Sequence, residues 1–287
     1  MRNKILLTLF AAAMLLVGCS KDKITYLTPV KVSVNGFNIS QEEIPSKDAI
    51  ASYNGVKAVT LAFYTSDGTE TYKTTQLRED ATTYTTFGEF DLSLPMGSYT
   101  MVVLGYALYD DDALTLTSPT QAEYTSGCPR ETFAATQAVN IASTDAVNLS
   151  ATLDRIVTKL QVVSTDGRTA NANKVRMTFS AGGKAFSPTT GLATVNTGSI
   201  STVGISAVVG STSSSIGYLF LATDEQTMTV TIDVLDADGN SISHKVVNDV
   251  PFKRNRCTKL TGSLYTTGGG GSFSVNTAWL DDYDMNF

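Results

Sequence analysis

Apolar and polar residues alternate with a period of two along most of this chain. Val30, Val32 and Val34 share one parity, as do Val59, Leu61 and Phe63; Phe90, Leu92 and Leu94; Val175, Met177 and Phe179; and Met228, Val230, Ile232 and Val234. Successive side chains of an extended strand point to opposite faces, so this spacing predicts antiparallel strands with one face buried and one wet. Asp67-Gly68, Asp166-Gly167 and Asp238-Gly239 each follow such a run and predict tight hairpin turns, where both residue types tolerate positive φ. No stretch carries a sustained helical period with caps; Ile44–Tyr53, with Pro45, Ser46 and Asp48, suits a short helix or a loop. The pattern therefore predicts an all-β chain: two β-sandwich domains in tandem, transthyretin- or immunoglobulin-like.

The boundary between them is placed at 150/151, giving an N-terminal sandwich over 19–150 and a C-terminal one over 151–287. A polar, Thr-rich stretch from Pro129 to Ala146 precedes the boundary, and Leu153–Leu160 reads as the strand that opens the second domain. Ser211–Ser215 reads as a flexible loop and Gly268–Gly271 as a hinge whose backbone is free to swing. Beyond the hinge, over 272–287, Phe273 and Val275 fall on one face of a last strand-like segment, with Trp279 in register.

The first residues break the alternation. Arg2 and Lys4 precede an apolar run from Ile5 to Val17 that ends in Leu16-Val17-Gly18-Cys19. A positive start, an apolar run too short for a comfortable membrane span and small residues before a cysteine predict a lipoprotein signal peptide over 1–18. Cys19 becomes the acylated first residue of the mature chain, an outer-membrane lipoprotein; an ordinary secretory signal that contains a cysteine is the alternative. Ser20 rather than an aspartate after the cysteine fits release to the outer membrane, and Lys21-Asp22-Lys23 resembles a charged surface-export tag. Several acyl chains, each methylene contributing about 0.8 kcal/mol, hold firmly to a bilayer.

Removing the signal takes Arg2 and Lys4 with it, so the formal charge falls from −6 to −8. An acidic body without a Lys/Arg-rich stripe excludes nucleic acid as the expected partner. Besides Cys19 there are only Cys128 and Cys257, which the domain division separates; two thiols rather than one bridge are expected. His244 is the only histidine, and no nucleophile motif accompanies it, so a solvent-facing strand residue is expected rather than a catalytic base. Asp110-Asp111-Asp112 and Asp236-Ala237-Asp238-Gly239-Asn240 lack the spacing of a calcium loop and read as an acidic turn and a hairpin. No residue pattern nominates a metal or cofactor. A single tryptophan argues modestly against an aromatic carbohydrate platform, although the 12 tyrosines remain available.

Four segments, in order, resemble the fimbrillin superfamily, the FimA/Mfa-type subunits and anchors of type V pili in Gram-negative gut and oral bacteria. They are the cysteine-terminated signal; Leu94-Pro95-Met96-Gly97-Ser98-Tyr99, similar to the family's L-P-x-G-x-Y strand; Leu153-Asp154-Arg155-Ile156-Val157-Thr158-Lys159, similar to its L-x-R-x-V-A-K opener; and Lys253-Arg254-Asn255-Arg256-Cys257-Thr258-Lys259-Leu260-Thr261-Gly262, similar to its K-R-N-x-x-T-x-L-x-G strand. The resemblance implies assembly by strand addition: a subunit loses its first strand to a protease, and a neighbour's strand fills the groove. In this chain the displaceable strand is Ile24–Val34, with Ile24, Tyr26, Thr28, Val30, Val32 and Val34 on one face. The donor is Phe273, Val275, Trp279 and Leu280, unless that segment is the last strand of its own domain. No arginine lies between Cys19 and Arg78, so the arginine-specific cut of the family has no substrate here, and Lys47 is the candidate processing site.

The expectation is a non-catalytic fimbrial subunit, an anchor or accessory that keeps its first strand and lipid. Its partners are other fimbrial subunits, the outer-membrane lipid and a host or bacterial surface ligand. The alternative is a non-polymerising surface lipoprotein that binds glycans or host proteins.

Overall fold

The computed structural model describes residues 26–39, 55–78, 87–108, 114–266 and 273–277. Within these residues there are strands and no helix. The first half supplies β1 (Leu27–Asn38), β2 (Ala58–Thr65), β3 (Glu70–Leu77), β4 (Glu89–Pro95), β5 (Gly97–Tyr106), β6 (Leu114–Ser118), β7 (Gln121–Tyr124), β8 (Thr132–Ile141) and β9 (Val147–Arg155). Seven of them form one sheet in the order β3-β2-β5-β8-β9-β1-β4. β8 and β9 share only Phe133↔Arg155 and Ala134↔Asp154, whereas β5 and β8 pair along their whole length. That short seam is the corner at which one arm closes over the other. Val32, Phe90 and Leu153 from one arm meet Leu61, Met101 and Phe133 from the other in a single core.

The second half supplies β10 (Thr158–Ser164), β11 (Lys174–Phe179), β12 (Ala185–Ser187), β13 (Leu192–Ala193), β14 (Ser199–Gly204), β15 (Ser214–Leu219), β16 (Glu225–Leu235), β17 (Ser241–Lys253), β18 (Cys257–Gly262) and β19 (Ser274–Asn276). Two four-stranded sheets, β15-β10-β18-β19 and β14-β11-β16-β17, enclose Leu160, Leu260, Met177, Val230 and Phe252. Each buried large side chain contributes roughly 1.5–3 kcal/mol. The alternating valines and isoleucines of β11 and β16 thus fold as the period-two pattern requires. The long outer strand β17 is interrupted by a bulge, where Asp249 takes φ 57°. A bulge there blunts the edge against pairing with other chains.

A fourth sheet, β13-β12-β7-β6, takes strands from both halves. Beneath it lies a core shared by Tyr64, Leu104 and Tyr124 of the first half and Phe186 and Phe220 of the second, the last two stacked at 4.1 Å. This third layer explains why β2 is buried on both faces: the Val59 parity faces the first core and the Ala58 parity the shared one.

Several sequence expectations change here. The Thr-rich stretch before Ala146 holds β8, whose Phe133, Val139 and Ile141 enter the core. The expected strand Leu153–Leu160 is two strands, because β9 stays with the first sheet through Arg155 and β10 begins the next at Thr158; position 150/151 falls inside β9. Ser213 is buried and donates its amide to Ser164 Oγ at 2.6 Å, and Ser214 and Ser215 belong to β15, so Ser211–Ser215 is not a loose loop. Gly68 and Gly239 close hairpins with φ of 84° and 87°, but Asp166-Gly167 does not. Its carboxylate instead accepts hydrogen bonds from Ser263 Oγ, Thr266 Oγ1 and the amides of Leu264, Tyr265 and Thr266, at 2.7–2.9 Å. Ile44–Tyr53, Asp110-Asp111-Asp112 and Gly268–Gly271 lie outside the described residues.

Candidate strand-exchange site

β1 lies inside its sheet, antiparallel to β4 and parallel to β9. Thr28, Val30, Val32 and Val34 are buried along one parity, and Phe37 and Ile39 along the other. Asn35 is the extra residue that lets both sets face the same core, since the register with β9 steps from Val34↔Ala151 to Gly36↔Thr152. A glycine within a strand marks such a bulge. Removing β1 would open a groove flanked by Phe90 and Leu94 of β4 and by Ala151 and Leu153 of β9. Tyr26 precedes the strand and is exposed; Ile24, Cys19 and Lys47 lie outside the described residues.

The L-P-x-G-x-Y segment forms the tight link from β4 to β5. Tyr99 Oη donates to the Pro95 carbonyl at 2.8 Å, four residues upstream, which fixes the link as a tyrosine corner does in other sandwiches. The other two motifs meet in space. Arg155 is buried, donates to Asn255 Oδ1 at 3.0 Å and to the Asn255 carbonyl at 3.1 Å, and pairs with Glu131 at 3.4 Å. Asn255 holds φ 59° in the turn between β17 and β18, a left-handed conformation that asparagine tolerates better than most residues. Its amide donates to Val157 O at 3.0 Å and its Nδ2 to Asn38 O at 3.3 Å. The junction thus ties the end of β1, the end of β9 and the β17–β18 turn into one knot.

At the other end of the chain, β19 lies on the open edge of β18 through Lys259↔Asn276, Leu260↔Val275 and Thr261↔Ser274. All three of its residues are exposed. Phe273, just before it, packs against the second core. A Cβ on Gly262 would stand 2.8 Å from the Phe273 ring, so the glycine that ends the K-R-N motif leaves the space the phenyl ring uses. Val275 faces solvent; Trp279 and Leu280 lie outside the described residues.

The titratable groups tie the structure together. Burial pushes the Asp166 carboxyl up, but the hydrogen bonds from Leu264, Ser263 and Thr266 outweigh it and hold the group at about 2. Asp233 is likewise pushed up by burial and drawn below its ordinary value by hydrogen bonds from His244, Arg176 and Ser241. His244 Nδ1 sits 2.8 Å from Asp233 Oδ1, yet Ser241 Oγ donates to that same carboxylate, not to the imidazole. The three residues therefore do not form a nucleophile–base–acid relay. Burial raises the Tyr64 phenol to about 12. Cys128 and Cys257 are separate thiols, and the described residues contain no group of three or more potential metal ligands. Between the halves lies a cleft of about 370 Å³, lined among others by Lys57, Arg130, Glu131, Ser214 and Tyr218. Sequence reasoning missed it because its walls come from distant segments.

Residues 37–286 match the model of a family described as a family of unknown function, DUF6562, and the chain belongs to that family. No curated protein matches the sequence. The fold is similar to that of the fimbrial anchor protein Mfa2 from Porphyromonas gingivalis, at 14% identity and a TM-score of 0.51, covering 88% of this chain and 98% of that one. It is also similar to a candidate adhesin from Bacteroides ovatus, at 13% identity and a TM-score of 0.53, covering 88% and 93%. A third similar structure is a candidate polysaccharide-binding protein from Bacteroides thetaiotaomicron, at 11% identity and a TM-score of 0.51, covering 87% and 98%.

Proposed function

We propose that this member of the DUF6562 family is a non-catalytic fimbrial subunit. It sits at the cell surface, held to the outer membrane by acylated Cys19, and joins other fimbrial subunits by strand addition in an anchor or accessory position. The observation that carries this reading is the unequal hold on the two terminal strands. β1 is locked between two neighbours, whereas β19 rests by three exposed residues on the edge of β18. A strand so lightly held is the one that can leave and pair elsewhere, main-chain bonds giving affinity and Phe273 a side chain for a pocket. The absence of arginine between Cys19 and Arg78 favours a subunit that keeps β1 and its lipid. The fold shared with Mfa2 is consistent with an anchor.

The test is an immunoblot of unboiled and boiled outer-membrane extract from cells carrying the intact chain or the chain without residues 272–287. A heat-sensitive ladder that disappears with the deletion is expected. A ladder that survives the deletion would overturn strand donation by this segment.

A second reading, a non-polymerising surface lipoprotein that binds glycans or host proteins, is favoured by the cleft at the junction. Clefts between domains are common ligand sites, and Tyr218 offers a ring with a polar tip. Retention on a glycan array that Tyr218→Ala abolishes, in a chain that forms no ladder, would select it.

A further inference from the structure

The end of the second sandwich that faces away from the junction carries an exposed apolar pair. β10 runs from Thr158, beside the junction, to Ser164, which pairs with Gly262 at the far end. The loop after β14 lies at that end and exposes Val208 and Val209, with 74% and 54% of their surface open. Single exposed apolar residues are ordinary. These two are unusual for how firmly they are held.

The Ser211 amide donates to the Val208 carbonyl at 3.0 Å, and Gly210 has φ 86°, which makes Val208–Ser211 a type II turn. The Arg168 amide donates to Ser211 O, and the Gly210 amide to Arg168 O, both at 2.8 Å. The Arg168 guanidinium donates to Ala207 O at 2.6 Å and to Ala172 O at 2.7 Å. Gly167 lies so close that a Cβ there would stand 2.5 Å from the Gly210 carbonyl. An arginine, two glycines and a set of backbone bonds are thus committed to a turn whose two side chains contact water. β-branched side chains have few rotamers to lose on burial, so the turn is organised for contact before a partner arrives.

The occupant follows from where the terminal segment departs. Asp166 accepts both the amide and the hydroxyl of Thr266, two residues from the arginine that holds the turn. β19 begins at Ser274, opposite Thr261 at this same end, so a subunit that receives the strand meets the donor here. We infer that the Val208–Val209 turn is a docking contact for the fimbrial subunit that accepts the C-terminal strand, burying the two valines against it as the strand inserts. This rests on the strand-donation reading.

The test compares Val208→Asp/Val209→Asp with the deletion of 272–287, by unboiled immunoblot in cells that carry the chain. Val246→Asp, an exposed valine on β17, serves as control, and unchanged melting of the purified double variant checks the fold. The double aspartate variant is expected to reach the surface but to lose the heat-sensitive ladder at least tenfold, with Val208→Thr/Val209→Thr in between and Val246→Asp unaffected. A ladder that survives the double substitution but not the deletion overturns the docking contact and leaves strand donation standing. A ladder lost with the double substitution but kept in the deletion overturns donation, and with it a strand-accepting subunit as the occupant of the turn. Absence of a ladder from the intact chain overturns both.

Discussion

The first and last strands of the described chain are both alternating runs near a terminus, of 12 and 3 residues, and the fold holds them very differently. β1 has a ladder on each side and places Val30, Val32, Val34 and Phe37 in the core. β19 has one ladder of three residues and buries none of them. The difference lies in position within the sheet. An internal strand satisfies its backbone on both sides and sends one face inward, so its removal opens a core; an edge strand added at the end leaves a sheet already closed.

The largest effect that would sharpen this contrast is expected from Val32→Asp. An unpaired carboxylate in the first core costs roughly 4 kcal/mol or more, and the chain should fail to give a cooperative melt. Next comes Arg155→Met, which removes the buried ion pair with Glu131 and both hydrogen bonds to Asn255, cutting the knot between the halves. A loss of about 3–5 kcal/mol is expected, with a single thermal transition separating into two. Asp166→Asn is smaller, because the site is partly screened by water. Its carboxyl titrates near 2 in the folded chain against an ordinary 3.8, so its contribution is present above about pH 4 and lost as pH falls towards 2. The melting temperature of the intact chain should drop over that interval more steeply than that of the asparagine variant. The smallest effects fall at the C-terminal strand: about 1 kcal/mol for Phe273→Ala and within about 0.5 kcal/mol for Val275→Asp in urea titrations. A Val275→Asp loss as large as that of Val32→Asp would break the comparison.

The sheet-forming parity was legible in the sequence wherever one face is buried, as in Val175, Met177 and Phe179 of β11 or Val230, Ile232 and Val234 of β16. It was less legible where tertiary pairing adds a second covering. Nothing local in Ala58, Ala62 and Tyr64 announces a third layer, because the sheet that covers them is completed by β12 and β13 from the other half of the chain. The same holds for Asp166-Gly167, whose dipeptide suits a hairpin and whose carboxylate is instead claimed by amides almost a hundred positions away. The motifs at Arg155 and Asn255 were visible as strings, but their meeting depends on a contact across 100 positions. The parity shift between Val34 and Phe37 had a local signal in Gly36, read only once the pairing with β9 was known.

The parallel pairing of β1 with β9 also orders events in time. Thr28 donates to the Ser143 carbonyl 115 positions later, so a segment synthesised early is among the last of its half to find its parallel neighbour. Closing so long a loop comes late and slows folding. Until Val147–Arg155 arrives, β1 has only β4 to pair with, and its other backbone edge stays open to any strand that reaches it.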